Sequence, residues 1–561
     1  MRTNSEYVDY LARSLNVSSI LSQVLINRNI KTPEKARSFF DSTVSLLSDP
    51  GLLSGMDTAV ERIRLAIRRS ETILIHGDYD ADGTSAVAIM VETLKKLGAK
   101  TRYFIPGRFN HGYGFHVAAV DLARDYGCSL IVTVDCGISS FEAAGKASEA
   151  GLDVIITDHH KPAFDEQSGQ PVLPKALAVV NPKIMPADNP HSMLTGAGIA
   201  LMLSLALYAS NIGEVTGLLD LAAIGTVADV APLVDENRLI VKDGIRVLMD
   251  GNRAGLKALF EVASAGGKTI DVDLLSYCAI PRINAAGRMA DASEVVELFL
   301  TGSDSDAKRI AANLDALNFR RQRIEEGVYE SALNQIELEG FDKAIVIYDE
   351  DWHEGVLGIV ASKLTDKFGV PAFVFSVKHS VAKGSARGVP EIDIYKVLCD
   401  CSEYLIQFGG HKQAAGLKLN LEMIPQFTAA LNEVIGRTSA GSTAQSMIMI
   451  DTDCTLKDIN FKLLNELSKL APFGYGNPEP FFGIKGLTPY SPKIVGKNHL
   501  KLKLGDKSIQ FDAIGFDLGD QLSIVSGTGR VDAVITPTIN EYNGSRNLQL
   551  NIKAIRKSPP L

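Results

Sequence analysis

The sequence predicts an α/β protein: a parallel-sheet domain, a long connecting helix, a smaller α/β domain and a C-terminal β-barrel. Three observations carry this. From about residue 71, strand-like runs (Thr72–His76, Thr101–Ile105, Ser129–Asp135, Asp153–Thr157) alternate with helical segments, as in a parallel sheet wrapped by helices. Further on, Ile310, Leu314, Leu317, Ile324, Val328 and Leu333 repeat at helical spacing from the capping run Ser303-Asp-Ser-Asp306 toward Gly340. That helix would be ~45 Å long, enough to bridge two domains. Finally, short β-like runs separated by turns (Met447–Ile450, Lys501–Leu504, Val531–Ile535, Leu548–Ile552) point to a small barrel.

In order along the chain, residues 1–70 form a helical accessory segment, with a basic stretch at Arg62, Arg64, Arg68 and Arg69. Residues 71–300 form the parallel-sheet domain, mainly helical between about 194 and 265. The connecting helix covers 301–340, and the second α/β domain 341–437 opens with strand Ala344–Tyr348. The Ser/Thr/Gly-rich Thr438–Thr443 reads as a linker, and 446–561 as the barrel.

A chain of 561 residues needs several cores. With 46% hydrophobic and 22% charged residues it is globular in composition, and its apolar runs are too short to span a bilayer. The N-terminus lacks the apolar core of a signal peptide, so a cytoplasmic location and no membrane partner are expected. Six scattered cysteines read as reduced thiols; Cys399 and Cys401 have the wrong spacing for a zinc knuckle. The net charge of -9 argues against a coat of basic residues but leaves room for a local basic groove.

The most informative run is His76-Gly-Asp78-Tyr-Asp80-Ala-Asp82-Gly83. On an extended segment, alternate side chains share a face, so this histidine and three acids are expected to converge. Carboxylates that close repel one another unless cations lie between them. An Asx-rich turn accounts for Gly83 and little else. Asp135 and Asp158-His159-His160 fall at two further strand ends, where open parallel sheets bind ligands. Imidazole with carboxylates suits Mn²⁺ or Mg²⁺, and there are donors enough for two ions sharing a carboxylate. Such pairs, about 3.5–4 Å apart, hydrolyse phosphoesters.

These motifs, with Val134-Asp-Cys-Gly137, resemble the DHH phosphoesterases. Asp220-Leu-Ala-Ala-Ile-Gly-Thr-Val-Ala-Asp229, Pro281-Arg-Ile-Asn-Ala-Ala-Gly-Arg288, Trp352-His-Glu-Gly355, Gly384-Ser-Ala-Arg387, Gly409-Gly-His-Lys-Gln-Ala-Ala-Gly416 and Pro472-Phe-Gly-Tyr-Gly-Asn-Pro-Glu-Pro480 narrow the likeness to the RecJ family of single-strand-specific 5′→3′ DNA exonucleases. The resemblance implies a DHH catalytic domain, a DHHA1-type domain and an OB-like barrel, with the chain stopping after the barrel. It also implies two divalent ions, Mn²⁺ or Mg²⁺. His76, Asp80 and Asp135 would hold one; Asp82, bridging Asp135, His159 and an aspartate of the fourth motif would hold the other. For that last ligand both Asp220 and Asp229 qualify, with Asp220 favoured. Asp78 would orient the loop or a ligand histidine, and His160 would contact the scissile phosphate.

Arg387, Ser385, Gly409, Gly410 and His411 offer guanidinium, hydroxyl and backbone donors for a phosphate. In the family reading they anchor the 5′-terminal phosphate across a cleft from the metals. Arg108, Arg282 and His353 are further substrate-binding candidates. Lys493, Lys497, Lys501 and Lys503, with Tyr490, Phe511 and Tyr542, resemble an OB surface that stacks single-stranded bases. The expected activity is removal of 5′-mononucleotides from single-stranded DNA, in repair and recombination, by a monomer partnered by a single-strand-binding protein and a RecQ-type helicase. Two alternatives stand beside it. One is a DHH phosphodiesterase acting on nanoRNA or cyclic dinucleotides, which the C-terminal barrel disfavours. The other is an inactive DNA-binding replication factor, disfavoured because every candidate ligand is present.

Overall fold

The computed structural model describes residues 5–559 apart from 109–111, 113, 166, 439–446, 507, 528 and 543–544; the side chains of 438, 541, 542 and 545 also lie outside the described residues. The expected linker Thr438–Thr443 and the Tyr542 side chain therefore fall largely outside them.

The first sheet contains β1 (Thr72–His76), β2 (Lys100–Phe104), β3 (Cys128–Val134), β4 (Asp153–Thr157) and β5 (Ala178–Val180). They pair in parallel in the order β2-β1-β3-β4-β5. The first four agree with the expected strands to within one residue; β5 was not expected. His76 is in register with Phe104 and Thr133, so the carboxyl ends lie along one edge. Strand order reverses between β1 and β3, and at such a switch point the loops part to leave a crevice.

Beneath that crevice run three helices, Ala81–Lys96, Gly196–Leu207 and Leu219–Ala228, all in the main core. Gly196–Leu207 is apolar all round and buried all round; its N-terminus is capped by Thr195, which accepts from Gly198 N.

The connecting helix, Asp304–Glu339, has 36 residues and starts where the capping run placed it: Ser303 Oγ accepts from Asp306 N. Its first half (Ala307, Ile310, Leu314) packs into the first-domain core. Its second half (Val328, Ala332, Ile336) packs against Ile345, Trp352 and Val360 of the next domain. One rigid rod thus sets the spacing of the two.

The second domain carries β6 (Ile345–Asp349), β7 (Ala372–Lys378), β8 (Val381–Arg387), β9 (Gln407–His411) and β10 (Ala414–Asn420), in the order β9-β10-β8-β7-β6. Only β6–β7 is parallel.

At the C-terminus, β11 (Phe482–Val495), β12 (His499–Gly505), β13 (Gln510–Gly515), β14 (Val531–Tyr542) and β15 (Ser545–Lys557) form a barrel that closes through β11–β14 pairing. Met447–Ile450, expected as a strand, is irregular: the first ladder contact upstream of β11 is Thr452 with Phe482. Met447 and Met449 are 83% and 81% exposed, so nothing holds that run in a sheet.

The N-terminal 70 residues are not one accessory unit. Leu11, Leu21, Val24 and Leu25 share a core with barrel residues Leu470, Phe482 and Ile535. Helix Met56–Arg68 instead packs into the first-domain core.

Candidate metal centre and substrate cleft

β1 delivers His76 to the crevice, fully buried and edge-on against Phe104 and Phe115, with Nδ1 3.5 Å from Cys136 Sγ. Beyond it the strand does not continue, which corrects the alternation argument. Asp78 sits in the loop after the strand, Asp80 caps helix Ala81–Lys96 by accepting from Gly83 N (3.0 Å), and Asp82 lies in that helix's first turn. Gly83 is required, because a Cβ there would stand 2.7 Å from the Asp78 carbonyl oxygen.

Both Asp82 oxygens accept backbone N–H groups, from Gly196 (2.7 Å) and Ala197 (2.9 Å), at the positive end of helix Gly196–Leu207. Asp135 follows β3 with φ +61, a left-handed conformation that Asp tolerates better than most residues. Gly196 makes room for it, since a Cβ at 196 would lie 2.3 Å from that of Asp135.

Among the described residues, three groups bring donor atoms within 4.8 Å of one another: Asp78, Asp80 and Asp135; Asp135, His159 and His160; and Asp82, His159 and Asp229. His159 Nε2 is 3.1 Å from Asp135 Oδ1 and 3.9 Å from Asp82 Oδ2, and its Nδ1 is 3.9 Å from Asp229 Oδ2. His76 lies outside these groups.

Of the two fourth-motif acids, the structure brings Asp229 to the site and not the favoured Asp220. They occupy opposite ends of helix Leu219–Ala228. Asp220 is bound to Arg253 (2.7 Å), which also holds Glu92 and the Phe299 carbonyl.

The electrostatics follow from burial and crowding. Burial, then neighbouring carboxylates, pushes Asp78 and Asp135 well above the usual carboxylate range. The same causes raise Asp82 to about 6 and Asp229 to about 8. His159 is lowered to about 3 by burial and by His160, so it is neutral and free to act as a ligand. For His160 burial acts downward, but its bond to Asp158 (2.7 Å) prevails and lifts it to about 9. Asp158, fully buried, also accepts from the Ile138 and His160 N–H groups.

Asp78 Oδ1 is buried with no hydrogen-bond partner among the described residues. Burial drives the Cys136 thiol far up, which leaves oxygen and imidazole as the donors here. Crowded carboxylates, a neutral histidine and an orphaned carboxyl oxygen fit hard divalent cations.

The second domain closes the other side. The His411 ring lies parallel to that of His160, with centroids 6.5 Å apart. That contact brings Gly409-Gly410-His411 of β9 to the cleft. On β8, one strand further in beyond β10, Arg387 Nη1 donates to Ser385 Oγ (3.1 Å). Gly358 packs closely on this pair, since a Cβ there would lie 2.9 Å from Arg387 Nη2 and 3.0 Å from Ser385 Oγ. Arg108 stacks over Tyr79 at 5.5 Å. His353 Nδ1 accepts from Gly355 N, and its basic neighbours include Arg320 and Arg108.

Arg282 does not join this set; it pairs with Asp315 (2.8 Å) and the Cys278 carbonyl, tying two helices together. The residue missed from sequence is Arg288. Burial, then Arg108, Arg321 and Arg387, lowers it to about 10. Like charges gathered this closely mark an anion site. A signal was there: Arg288 ends the Pro281–Arg288 motif, and six residues along a helix is about 240° of rotation, away from Arg282. Asn284 of the same motif accepts from Ala81 N (2.9 Å), bracing the acid loop.

On the barrel, Lys493, Lys497, Lys501 and Lys503 are exposed, while Tyr490 and Phe511 are half-buried. Phe511 packs on the barrel core.

Known proteins match along the chain in the same arrangement. The DHH family N-terminal domain matches residues 72–226, the DHHA1 domain 341–437 and the RecJ OB domain 450–554. The single-stranded-DNA-specific exonuclease RecJ of Bacillus subtilis (strain 168) is 37% identical over 98% of this chain and 70% of its own length. The crystal structure of RecJ from Thermus thermophilus with Mn²⁺ superposes with a TM-score of 0.85 at 30% identity, covering 100% of this chain and 79% of that one. Its Mg²⁺ complex gives 0.77 at 28% identity, covering 100% and 78%. With three domains in matching order and this level of identity, the chain belongs to the RecJ family.

Proposed function

We propose that the protein is a single-stranded-DNA-specific exonuclease that hydrolyses phosphodiester bonds from the 5′ end and releases 5′-mononucleotides, in DNA repair and recombination. The observation that carries this is one cleft in which the acids and histidines of the first domain lie beside its half-buried Arg288 and face Arg387 of the second domain, the two domains meeting at His160 and His411.

Two divalent cations, Mn²⁺ or Mg²⁺ as in the Thermus structures, are its cofactors. Asp78, Asp80 and Asp135 suit one; Asp82, His159 and Asp229, with Asp135 shared, suit the other. Bound there, such ions stabilise phosphoryl charge and supply a nucleophilic water. The rest falls to the chain's own groups. His160, protonated through Asp158, donates to the scissile phosphate or the leaving oxygen. Arg387, Ser385 and Arg288 hold a terminal phosphate, which fixes how far the strand advances and so which bond is cut. Arg108, His353 and the Gly409–His411 strand line the path, and the barrel lysines follow the backbone beyond it.

No described helix is long and apolar enough to cross a membrane. On the resemblance alone, we take the cytoplasm as its compartment, the monomer as its working form, and a single-strand-binding protein and a RecQ-type helicase as its partners.

The test is a time course on end-labelled, 5′-phosphorylated single- and double-stranded DNA with and without Mn²⁺. Metal-dependent release of mononucleotides from the 5′ end of single strands is expected. Release from the 3′ end, or equal attack on blunt duplex, overturns the reading.

A further inference from the structure

Residues 472–480 precede the barrel's first long strand, yet they lie against the first domain. Gly474 and Asn477 exchange backbone hydrogen bonds (3.0 and 3.1 Å), folding the segment into a tight loop. The Tyr475 carbonyl at its tip accepts from Leu233 N at 2.7 Å. A Cβ at Gly474 would lie 2.7 Å from Leu233 Cδ1. A Cβ at Gly476, where φ is +77, would lie 3.0 Å from Pro232 Cβ. Asn477 is buried and donates to the Leu470 and Pro472 carbonyls, so the loop is stiff. Arg28 grips it from the N-terminal helices through Asn477 Oδ1 and the Pro478 carbonyl.

The segment it meets, 230–234, is the one that leaves Asp229. Asp229 N donates to the Gly225 carbonyl at the end of a buried helix. The next residue, Val230, has φ +54 and is 67% exposed. A β-branched residue holds a left-handed conformation only where the flanking structure enforces it. On the helix side that is Gly225. On the other side Asn237 donates to the Pro232 carbonyl (3.1 Å) and the barrel-domain loop pins Leu233 and packs on Pro232.

We infer that the Gly474–Asn477 loop is a positioning element for Asp229, so that the metal centre is fully formed only when the barrel domain is seated. The inference rests on Asp229 being a cation ligand. It makes Gly476 and Gly474 positioning residues, acting through the backbone between Pro232 and Asp229. It also makes the C-terminal domain part of the apparatus that builds the centre, in addition to any hold on the strand.

The test measures Mn²⁺ binding to the metal-free full chain by isothermal titration calorimetry and by the Mn²⁺-induced rise in Tm, alongside single-stranded-DNA affinity in EDTA. Gly476→Ala is expected to weaken Mn²⁺ binding about tenfold, as changes behind a ligand do. DNA affinity in EDTA should stay unchanged, and turnover should recover at high Mn²⁺. Gly486→Ala is the control: its φ is +70, so it carries a like backbone penalty, but its Cβ meets nothing closer than Arg530 Nη1 at 3.8 Å. It should bind Mn²⁺ as wild type does. Gly474→Ala pushes Leu233 without a positive φ and serves if Gly476→Ala does not fold. Equal Mn²⁺ affinity in the Gly476, Gly474 and Gly486 variants overturns the role of the loop. Asp229→Asn separates the two failures. If it binds Mn²⁺ like wild type, the ligand assignment falls and the inference with it; if it alone is weakened, only the loop's role falls.

Discussion

The imidazoles of His160 and His411 face each other across the cleft, 6.5 Å between centroids and 16° from parallel, each from a different domain. Their charge states differ. Asp158 lifts His160 to about 9, whereas His411 is lowered by burial and by His160 itself. At neutral pH a cation therefore faces a neutral ring. If His160 acts as the charged donor, the rate should fall as pH rises through about 9. Asp158→Asn removes the group that holds the proton and should move this limb down toward the ordinary value of about 6.5. Initial rates from pH 6 to 10 at saturating Mn²⁺ decide it; an unmoved limb removes His160 from that role.

Asp229→Asn and Asp220→Asn should fail in different ways. The first should abolish turnover and weaken Mn²⁺ binding while leaving the fold intact. The second leaves Arg253 buried without its closest acid and should cost about 3 kcal/mol of stability, with turnover retained in the folded fraction. Urea unfolding and activity on the same preparations separate the two.

Arg288→Gln should erase the advantage of a 5′-phosphorylated end. Loss of a charge-assisted contact to a phosphate costs about 2 kcal/mol, roughly thirtyfold in kcat/KM. The comparison is between 5′-phosphate and 5′-hydroxyl oligonucleotides in wild type and variant. A variant that keeps the full preference excludes Arg288 from the terminal-phosphate site.

Metal removal should destabilise the protein more at high pH. Asp78, Asp82, Asp135 and Asp229 all have raised pKa values in the fold, so the folded state holds more protons than the unfolded chain. Their contribution to stability accordingly falls as pH climbs from the ordinary carboxylate value of about 4 toward 8. Mn²⁺ should raise Tm more at pH 8 than at pH 5.5, which a thermal melt with and without EDTA measures.

His191 supplies a second pH effect, remote from the cleft. It is fully buried; burial lowers its pKa, but Glu236 (2.5 Å) and the Asp49 carbonyl (3.0 Å) prevail and raise it. Its stabilisation is complete below about 6.5 and is lost as pH rises through the higher folded value. His191→Gln should therefore cost more stability at pH 6 than at pH 9. Equal cost at both would show that the ring is neutral throughout.

Much of the catalytic domain was legible because its chemistry lies at strand ends, and strands announce themselves by local apolar runs. The connecting helix was legible for the same reason, with Ser303 and Gly340 marking its limits. Asp220 and Asp229 could not be told apart locally: one motif contains both, and only packing decides which end of a ten-residue helix meets the sheet. Arg282 and Arg288 pose the same problem around a helix instead of along it. The acids after His76 were expected to share one face of an extended strand, whereas a loop and a helix start present them, Asp78 and Asp80 to one donor group and Asp82 to another. The pairing of the first helices with the barrel left no local trace at all.

That pairing has a consequence for how the molecule comes into being. Helices Ser5–Leu15 and Ser19–Asn27 carry an apolar face whose counterpart includes Ile535, Leu550 and Ile552. At ~5–20 residues per second, roughly half a minute to two minutes separates synthesis of the two. Residues 5–27 must wait, apolar face uncovered, until the barrel strands about 500 residues later are made. Closing that gap clasps two segments far apart in the chain, so strain applied to the first helices is carried straight to the barrel.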